Sequence, residues 1–261
     1  MAATSDRTVS LWEGKVTAHV KVAGQGPALV FLHSGYGLVW DHSLDLLARD
    51  FTIYAPEHPG TSEGDPDAIK PLDDIWDLVL YYYEMFDQLG LEAPAVVGHS
   101  FGGMVAAELA ATNPKRVGKL VLIDPLGLWR DDSPIPNYMV MPQADIDPLF
   151  FHDPNHPARK LVSMNLEEPD SIIRVTWALG CTGKFIWPIP DKGLRKRIHR
   201  IAAPTLIIWG REDGLTKPVY AEEFHKLIPR SRVEIVANAA HMAPLEQPEA
   251  VSKLVSDFLK K

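Results

Sequence analysis

Ser100 stands between two glycines in VVGHSFGGMVAAELA, residues 96–110, where an apolar run ends and an alanine-rich one begins. The run AVV before it reads as a strand. Gly102, Gly103, Ala106 and Ala107 after it are small enough for a helix to lie close on a sheet. In so tight a strand-to-helix turn a serine hydroxyl is pushed clear of the backbone, and the helix start offers unpaired N–H groups to an anion. A serine hydroxyl is nearly inert at neutral pH, so a nucleophilic role needs a base, and the base needs a group that holds its tautomer. Two later turns supply both types: Asp213 in GREDG follows PTLIIW, and His241 in NAAHMAPLEQP follows SRVEIVA. Alone, each reads as a helix cap or a surface histidine. In the order Ser, Asp, His, each just past a strand, they predict nucleophile, acid and base. The glycine-rich HSGYG, residues 33–37, follows ALVFL and lets backbone approach a substrate closely. The backbone N–H groups of Phe101 and Gly35 are therefore expected to face a developing oxyanion.

For those turns to meet, their strands must run parallel and deliver them to one sheet edge. The chain alternates short apolar runs with helix-period segments, the pattern of a parallel sheet wrapped by helices. Strands are predicted at 28–33, 51–56, 94–99, 119–124, 204–209 and 231–237. Residues 15–24 alternate polar and apolar, as a half-exposed antiparallel edge strand would. Residues 72–89 place Ile75, Val79, Tyr82, Phe86 and Leu89 on one helical face, with Asp73 and Asp74 in the first turn and Gly90 past the end. A last helix at 247–260 does the same with Val251, Leu254, Val255 and Phe258. From 126 to 200 the alternation stops. Nine prolines between Pro134 and Pro190 keep helices short there, yet the segment is too apolar for a linker. It is expected to be a helical cap, residues 126–200, inserted into a core domain of residues 1–125 and 201–261. Met139, Met141, Phe150, Trp177 and Trp187 are its candidates for the wall of an enclosed acyl pocket, and Arg174 for a cation that would hold a substrate carboxylate.

Composition narrows the class. The 261 residues are 46% hydrophobic and 23% charged, enough for a sizeable core, and the formal charge is -8. The longest basic block is LRKR at 194–197, which argues against a nucleic-acid partner. The N-terminus lacks a charged segment followed by an apolar one, and no stretch approaches the roughly 18 apolar residues of a membrane helix, so a cytoplasmic protein with no membrane partner is expected. Cys181 is alone and can form neither an internal disulfide nor a cysteine metal box. His152 and His156 flank Asp153-Pro154, a loop rather than a metal pair. No metal or organic cofactor is expected, and the partner is a small-molecule ester. The oligomeric state is not legible.

Taken together, FLHSGYG, YAPEHPGTSEGD, VVGHSFGG, LVLIDP, PTLIIWGREDGLT and NAAHMAPLEQPEAV resemble the α/β-hydrolase superfamily in order and spacing, along nearly the whole chain. The resemblance implies an α/β fold with a mostly parallel, roughly eight-stranded sheet, helices on both faces and a cap. It also implies that Ser100, Asp213 and His241 match the family's nucleophile, acid and base. The family's oxyanion loop usually reads His-Gly before the donor; Ser34 stands at that glycine, so the donor is Gly35 or Ser34. A serine at the nucleophile position argues against the dehalogenase and epoxide hydrolase branches. Ester hydrolysis is the leading expectation, with cleavage of carbon–carbon bonds in diketone-like acids as the alternative. Lactonase, cofactor-free haloperoxidase-like and non-catalytic binding roles follow behind.

Overall fold

Along the central apolar runs the side chains part alternately to two sides, which is what burial on both faces of a sheet requires. The computed structural model describes residues 3–61, 65–164 and 168–261. Its strands are β1 (Ser5–Leu11), β2 (Val16–Ala23), β3 (Ala28–Leu32), β4 (Thr52–Pro56), β5 (Ala95–His99), β6 (Lys119–Ile123), β7 (Thr205–Gly210) and β8 (Ser231–Val236). They form one sheet in the order β1-β2-β4-β3-β5-β6-β7-β8; β2 runs antiparallel to both its neighbours and every other pair is parallel. Leu29, Phe31, Val97, Val121, Ile123, Leu206 and Ile208 enter one core. Val30, Leu32, Val96, Leu120, Leu122, Ile207 and Trp209 enter the other.

The helices are α1 (His42–Leu47), α2 (Ile75–Gln88), α3 (Phe101–Thr112), α4 (Gln143–Phe150), α5 (Arg159–Val162), α6 (Pro169–Ile186), α7 (Val219–Leu227), α8 (Ala243–Glu246) and α9 (Pro248–Leu259). α1 and α9 cover the first face through Leu44, Leu47, Val251 and Val255. α2, α3 and α7 cover the second. Asp74 caps α2 by accepting the Trp76 and Asp77 N–H groups at 2.7 and 3.2 Å. No described helix is long and apolar enough to cross a membrane.

One expectation is corrected. The strand at 15–24 is antiparallel but is not the edge: β1 pairs along its outer side, from Ser5 opposite Val22 to Leu11 opposite Val16. Only Val9 and Leu11 of β1 are buried, so SDRTVSL carries almost no apolar period. Its strand state comes from the hairpin, where Trp12, Glu13 and Gly14 all take positive φ.

Between β6 and β7 lie α4, α5, α6 and short 3-10 turns. This segment is tied to loops beyond the C-terminal strand ends. Leu149 O accepts Gly214 N–H at 3.1 Å, Phe150 O accepts Met242 N–H at 3.0 Å, Thr182 Oγ1 donates to Gly35 O at 3.1 Å and Trp177 Nε1 to Gly60 O at 2.7 Å.

Candidate active site

β5 ends in a turn whose backbone only its surroundings can hold. Ser100 has φ 55° and ψ -116°, disfavoured for a residue with a Cβ. Its N–H donates to Ile123 O at 2.9 Å, and its carbonyl accepts from Met104 and Leu126 N–H, both at 3.1 Å. The turn is tight because Gly98 and Gly102 touch backbone directly. A Cβ on Gly98 would run into the Gly102 carbonyl, and one on Gly102 into the carbonyls of Leu32 and His33. The start of α3 thus lies against the loop after β3.

His241 and Asp213 are carried to the same point. His241 Nε2 is 2.8 Å from Ser100 Oγ, and His241 Nδ1 is 2.9 Å from Asp213 Oδ2. All three are buried. A carboxylate only accepts, so Nδ1 carries the imidazole proton and Nε2 presents its lone pair to the serine hydroxyl. Asp213 is fixed by Leu215 N–H and Thr216 N–H on Oδ1, at 2.8 and 2.9 Å, and by Thr216 Oγ1 on Oδ2 at 2.7 Å. His99 Nε2 donates to the His241 carbonyl at 2.7 Å. Beside Asp213 sits a second acid, Asp124, fully buried just past β6. Its Oδ1 accepts Gly210 N–H at 2.8 Å. Burial and the neighbouring Asp213 push its carboxyl well above the usual carboxylate range, so it is protonated.

The loop after β3 is oriented by two histidines. His33 Nε2 accepts His58 N–H at 2.9 Å, so its proton sits on Nδ1, which donates to the Ser34 carbonyl at 2.6 Å. In a trans peptide the N–H points opposite the C=O, so the Gly35 N–H is turned away from the His33 ring. His58 Nε2 donates to the His33 carbonyl at 2.9 Å, and its Nδ1 accepts the Tyr82 hydroxyl at 2.5 Å. Burial holds His33 well below the usual histidine range and His58 at about 4, so both rings are neutral and these tautomers stand. Among the described residues neither Gly35 N–H nor Phe101 N–H donates to a protein acceptor. The Ser34 hydroxyl accepts Tyr36 N–H at 3.4 Å.

Of the residues proposed for the pocket wall, the structure brings Phe150 to His241, with ring centroids 5.2 Å apart. Met139 and Met141 are partly buried against the core, with Met139 over Gly183 of α6. The other two wall candidates, Trp177 and Trp187, and the candidate cation Arg174 lie elsewhere. Trp177 and Arg174 line an outer cleft of about 940 Å³ with Gly37, Leu38 and Ile173, and Ser100 is not part of its wall. Arg174 donates to Leu161 O at 3.2 Å, and Lys21, Glu57, Glu168 and Asp170 share its cleft. Trp187 ends α6 with 52% of its surface exposed. α6 exposes the large apolar Ile173 and Trp177 beside its polar residues, so composition could not tell its inner face from its outer one. His152 donates its N–H to Glu246 Oε1 at 2.8 Å and His156 stacks on Phe151; among the described residues no group of three ligating side chains could hold a metal. Sequence reasoning passed over Asp124, Thr216, His58, Tyr82 and Tyr36. For Asp124 the signal was present, since LVLID ends a strand as the other two turns do.

The sequence model described as the alpha/beta hydrolase family matches residues 29–254. The chain is 27% identical over 278 residues to the pimeloyl-[acyl-carrier protein] methyl ester esterase of Vibrio atlanticus (strain LGP32), covering 94% of this chain and 99% of that one. It is 28% identical over 291 residues to a 2-hydroxy-6-oxononadienedioate/2-hydroxy-6-oxononatrienedioate hydrolase 2 of Pseudomonas putida, covering 99% and 97%. Among solved structures, the 2-hydroxy-6-oxo-6-phenylhexa-2,4-dienoate hydrolase from Rhodococcus sp. strain RHA1 superposes with a TM-score of 0.78 at 20% identity over 100% of both chains. The naproxen esterase of Bacillus subtilis gives 0.74 at 18% identity, over 99% of this chain and 92% of that one. At these identities the two structures share the fold.

Proposed function

The chain is a member of the alpha/beta hydrolase family, and on that premise we propose that it hydrolyses carboxylic esters of short to medium acyl chain through a serine acyl-enzyme. The observation that carries this is the unbroken hydrogen-bond chain Ser100 Oγ, His241 Nε2, His241 Nδ1, Asp213 Oδ2. Ser100 Oγ attacks the ester carbonyl as its proton passes to His241 Nε2, and the Asp213 carboxylate steadies the imidazolium. The Phe101 and Gly35 N–H groups take the oxyanion, each such donor contributing about 3 kcal/mol to the barrier reduction. Collapse expels the alcohol, which leaves with the proton from His241. Water then gives a proton to His241 and its oxygen to the acyl carbon, freeing the acid and restoring Ser100. Residues 126–200 act as the cap over this centre. The acyl preference follows from enclosure, because each methylene gains about 0.8 kcal/mol only while apolar space remains to bury it.

Carbon–carbon bond cleavage is the second reading, favoured by the names of several relatives. A dioate substrate needs a cation at its carboxylate, and Arg174 opens, with Lys21 and three acids, on the outer cleft whose wall does not include Ser100, which supports the ester. The test is a panel of acyl esters beside a vinylogous diketone acid, with fluorophosphonate labelling. Ser100→Ala should lose several orders of magnitude in turnover while melting normally, and mass spectrometry should place the label on Ser100. Label elsewhere, or diketone cleavage with feeble ester turnover, overturns the ester reading.

A further inference from the structure

Tyr36 follows Gly35 directly, and only 2% of it is exposed. Its ring stacks on Tyr138 at 6.2 Å and meets the edge of Phe150 at 5.4 Å, and Phe150 in turn lies on His241. Tyr36 is therefore one ring removed from the imidazole that faces Ser100. Packing explains the ring but not the hydroxyl. Among the described residues that oxygen is buried without a hydrogen-bond partner, and a phenylalanine would fill the same aromatic nest without that cost.

We propose that the Tyr36 hydroxyl, with Tyr138 beside it, is a subsite that donates a hydrogen bond to a neutral oxygen on the substrate chain, so that keto- or alkoxy-substituted acyl esters are preferred over plain alkyl ones. The inference rests on Ser100 being the nucleophile of an ester hydrolase. A neutral oxygen is specified because the surroundings are aromatic, and a carboxylate would enter without a counter-charge. Burial and the nearby Tyr138 raise the Tyr36 phenol well above its ordinary range, and burial raises Tyr138; a cation beside either would have drawn it down. Tyr36 thus remains an O–H donor across the working pH range, matched to an acceptor and not to an acid.

The test compares wild type and Tyr36→Phe on ethyl hexanoate, on ethyl 3-, 4- and 5-oxohexanoate and on monoethyl adipate. Comparing the two proteins on each ester cancels its intrinsic reactivity. For at least one oxohexanoate, Tyr36→Phe should lower kcat/KM about tenfold, the effect of one hydrogen bond left unmade, while ethyl hexanoate stays within about twofold. The melting temperature should hold or rise, because a buried orphan has been removed. Equal slowing on every ester, a melting temperature several degrees lower, or a Tyr36-dependent preference for monoethyl adipate overturns the subsite. Should wild type hydrolyse none of these esters, the ester reading fails separately. Thermal shift of Ser100→Ala and Ser100→Ala/Tyr36→Phe with the same esters then decides the subsite. Stabilisation by an oxohexanoate that the double variant loses supports it, and no difference overturns it.

Discussion

Two carboxyl groups buried side by side cannot both ionise, and the donors around Asp213 and Asp124 decide which one keeps its charge. Asp213 receives Leu215 N–H, Thr216 N–H, Thr216 Oγ1 and the His241 imidazole, whereas Asp124 receives Gly210 N–H. The donors therefore converge on Asp213, while burial beside it raises the Asp124 carboxyl, whose work is to cap Gly210 and back its neighbour. Asn has the same shape, can accept from Gly210 N–H, donate toward Asp213, and tolerate the φ of 44° found at this position. Asp124→Asn should keep ester turnover within several-fold and melt no lower than wild type. Asp124→Leu strands the Gly210 N–H and should cost about 1–3 kcal/mol in a urea melt. Collapse of activity in the Asn variant would show that Asp124 is charged. That Ser100, Asp213 and His241 would meet was legible, since each ends a strand-like run in turn chemistry. Asp124 had the same signal, but with Ser100, Asp213 and His241 already matched to one another it had no chemical demand to meet. The His58 and Tyr82 contact was not legible: it joins side chains 24 residues apart with no period to link them.

At the scale of elements, the sheet was readable where apolar runs were short and bounded, and unreadable where pairing alone makes the strand, as in β1. The helices divide in the same way. α3 is buried nearly all round, so its small residues announced close packing. α6 carries Ile173 and Trp177 exposed as well as Val175, Ala178 and Leu179 buried, so its orientation had to be seen. Two glycine substitutions separate the roles of these helices. Gly102→Ala drives a Cβ into the Leu32 and His33 carbonyls, backbone atoms that cannot turn aside. Either α3 lifts from the sheet or the loop after β3 shifts; a loss of about 3 kcal/mol in stability, with activity falling more steeply than stability explains, is the expected outcome. Gly180 lies exposed in α6, and a Cβ there meets nothing within 4 Å. Gly180→Ala should stabilise by about 0.5–1 kcal/mol, since alanine gives up less backbone freedom in a helix. Equal melting temperatures for the two variants would refute this account of how α3 seats Ser100.

For the molecule as a whole, the buried histidines set how it responds to acid. Burial lowers His58 to about 4, His99 to about 3 and His33 well below its ordinary value, so all three are neutral in the fold. In the unfolded chain each takes up a proton near pH 6.5. The unfolded state therefore binds more protons below that pH. The stability is fully present above about 6.5 and is lost as pH falls toward the folded values. For His99 the loss between pH 6.5 and 4 comes to about 3 kcal/mol. Asp41, raised by burial to about 6, works in the opposite direction as it protonates in the fold ahead of the unfolded chain, so the net slope alone identifies no single group. The overall charge, near balance at a sequence pI of about 5.7, is common to wild type and variant and cancels between them. His99→Gln isolates one histidine: its amide can still donate to the His241 carbonyl, and it takes up no proton. In urea melts from pH 7.5 to 4 the variant should lose about 3 kcal/mol less than wild type across the acid limb, while differing by about 1 kcal/mol or less at pH 7.5. Superimposable slopes would mean that His99 takes up its proton at the same pH in the fold as in the unfolded chain. In that case the hydrogen bond that steadies the His241 backbone would come from an imidazolium over the acid limb.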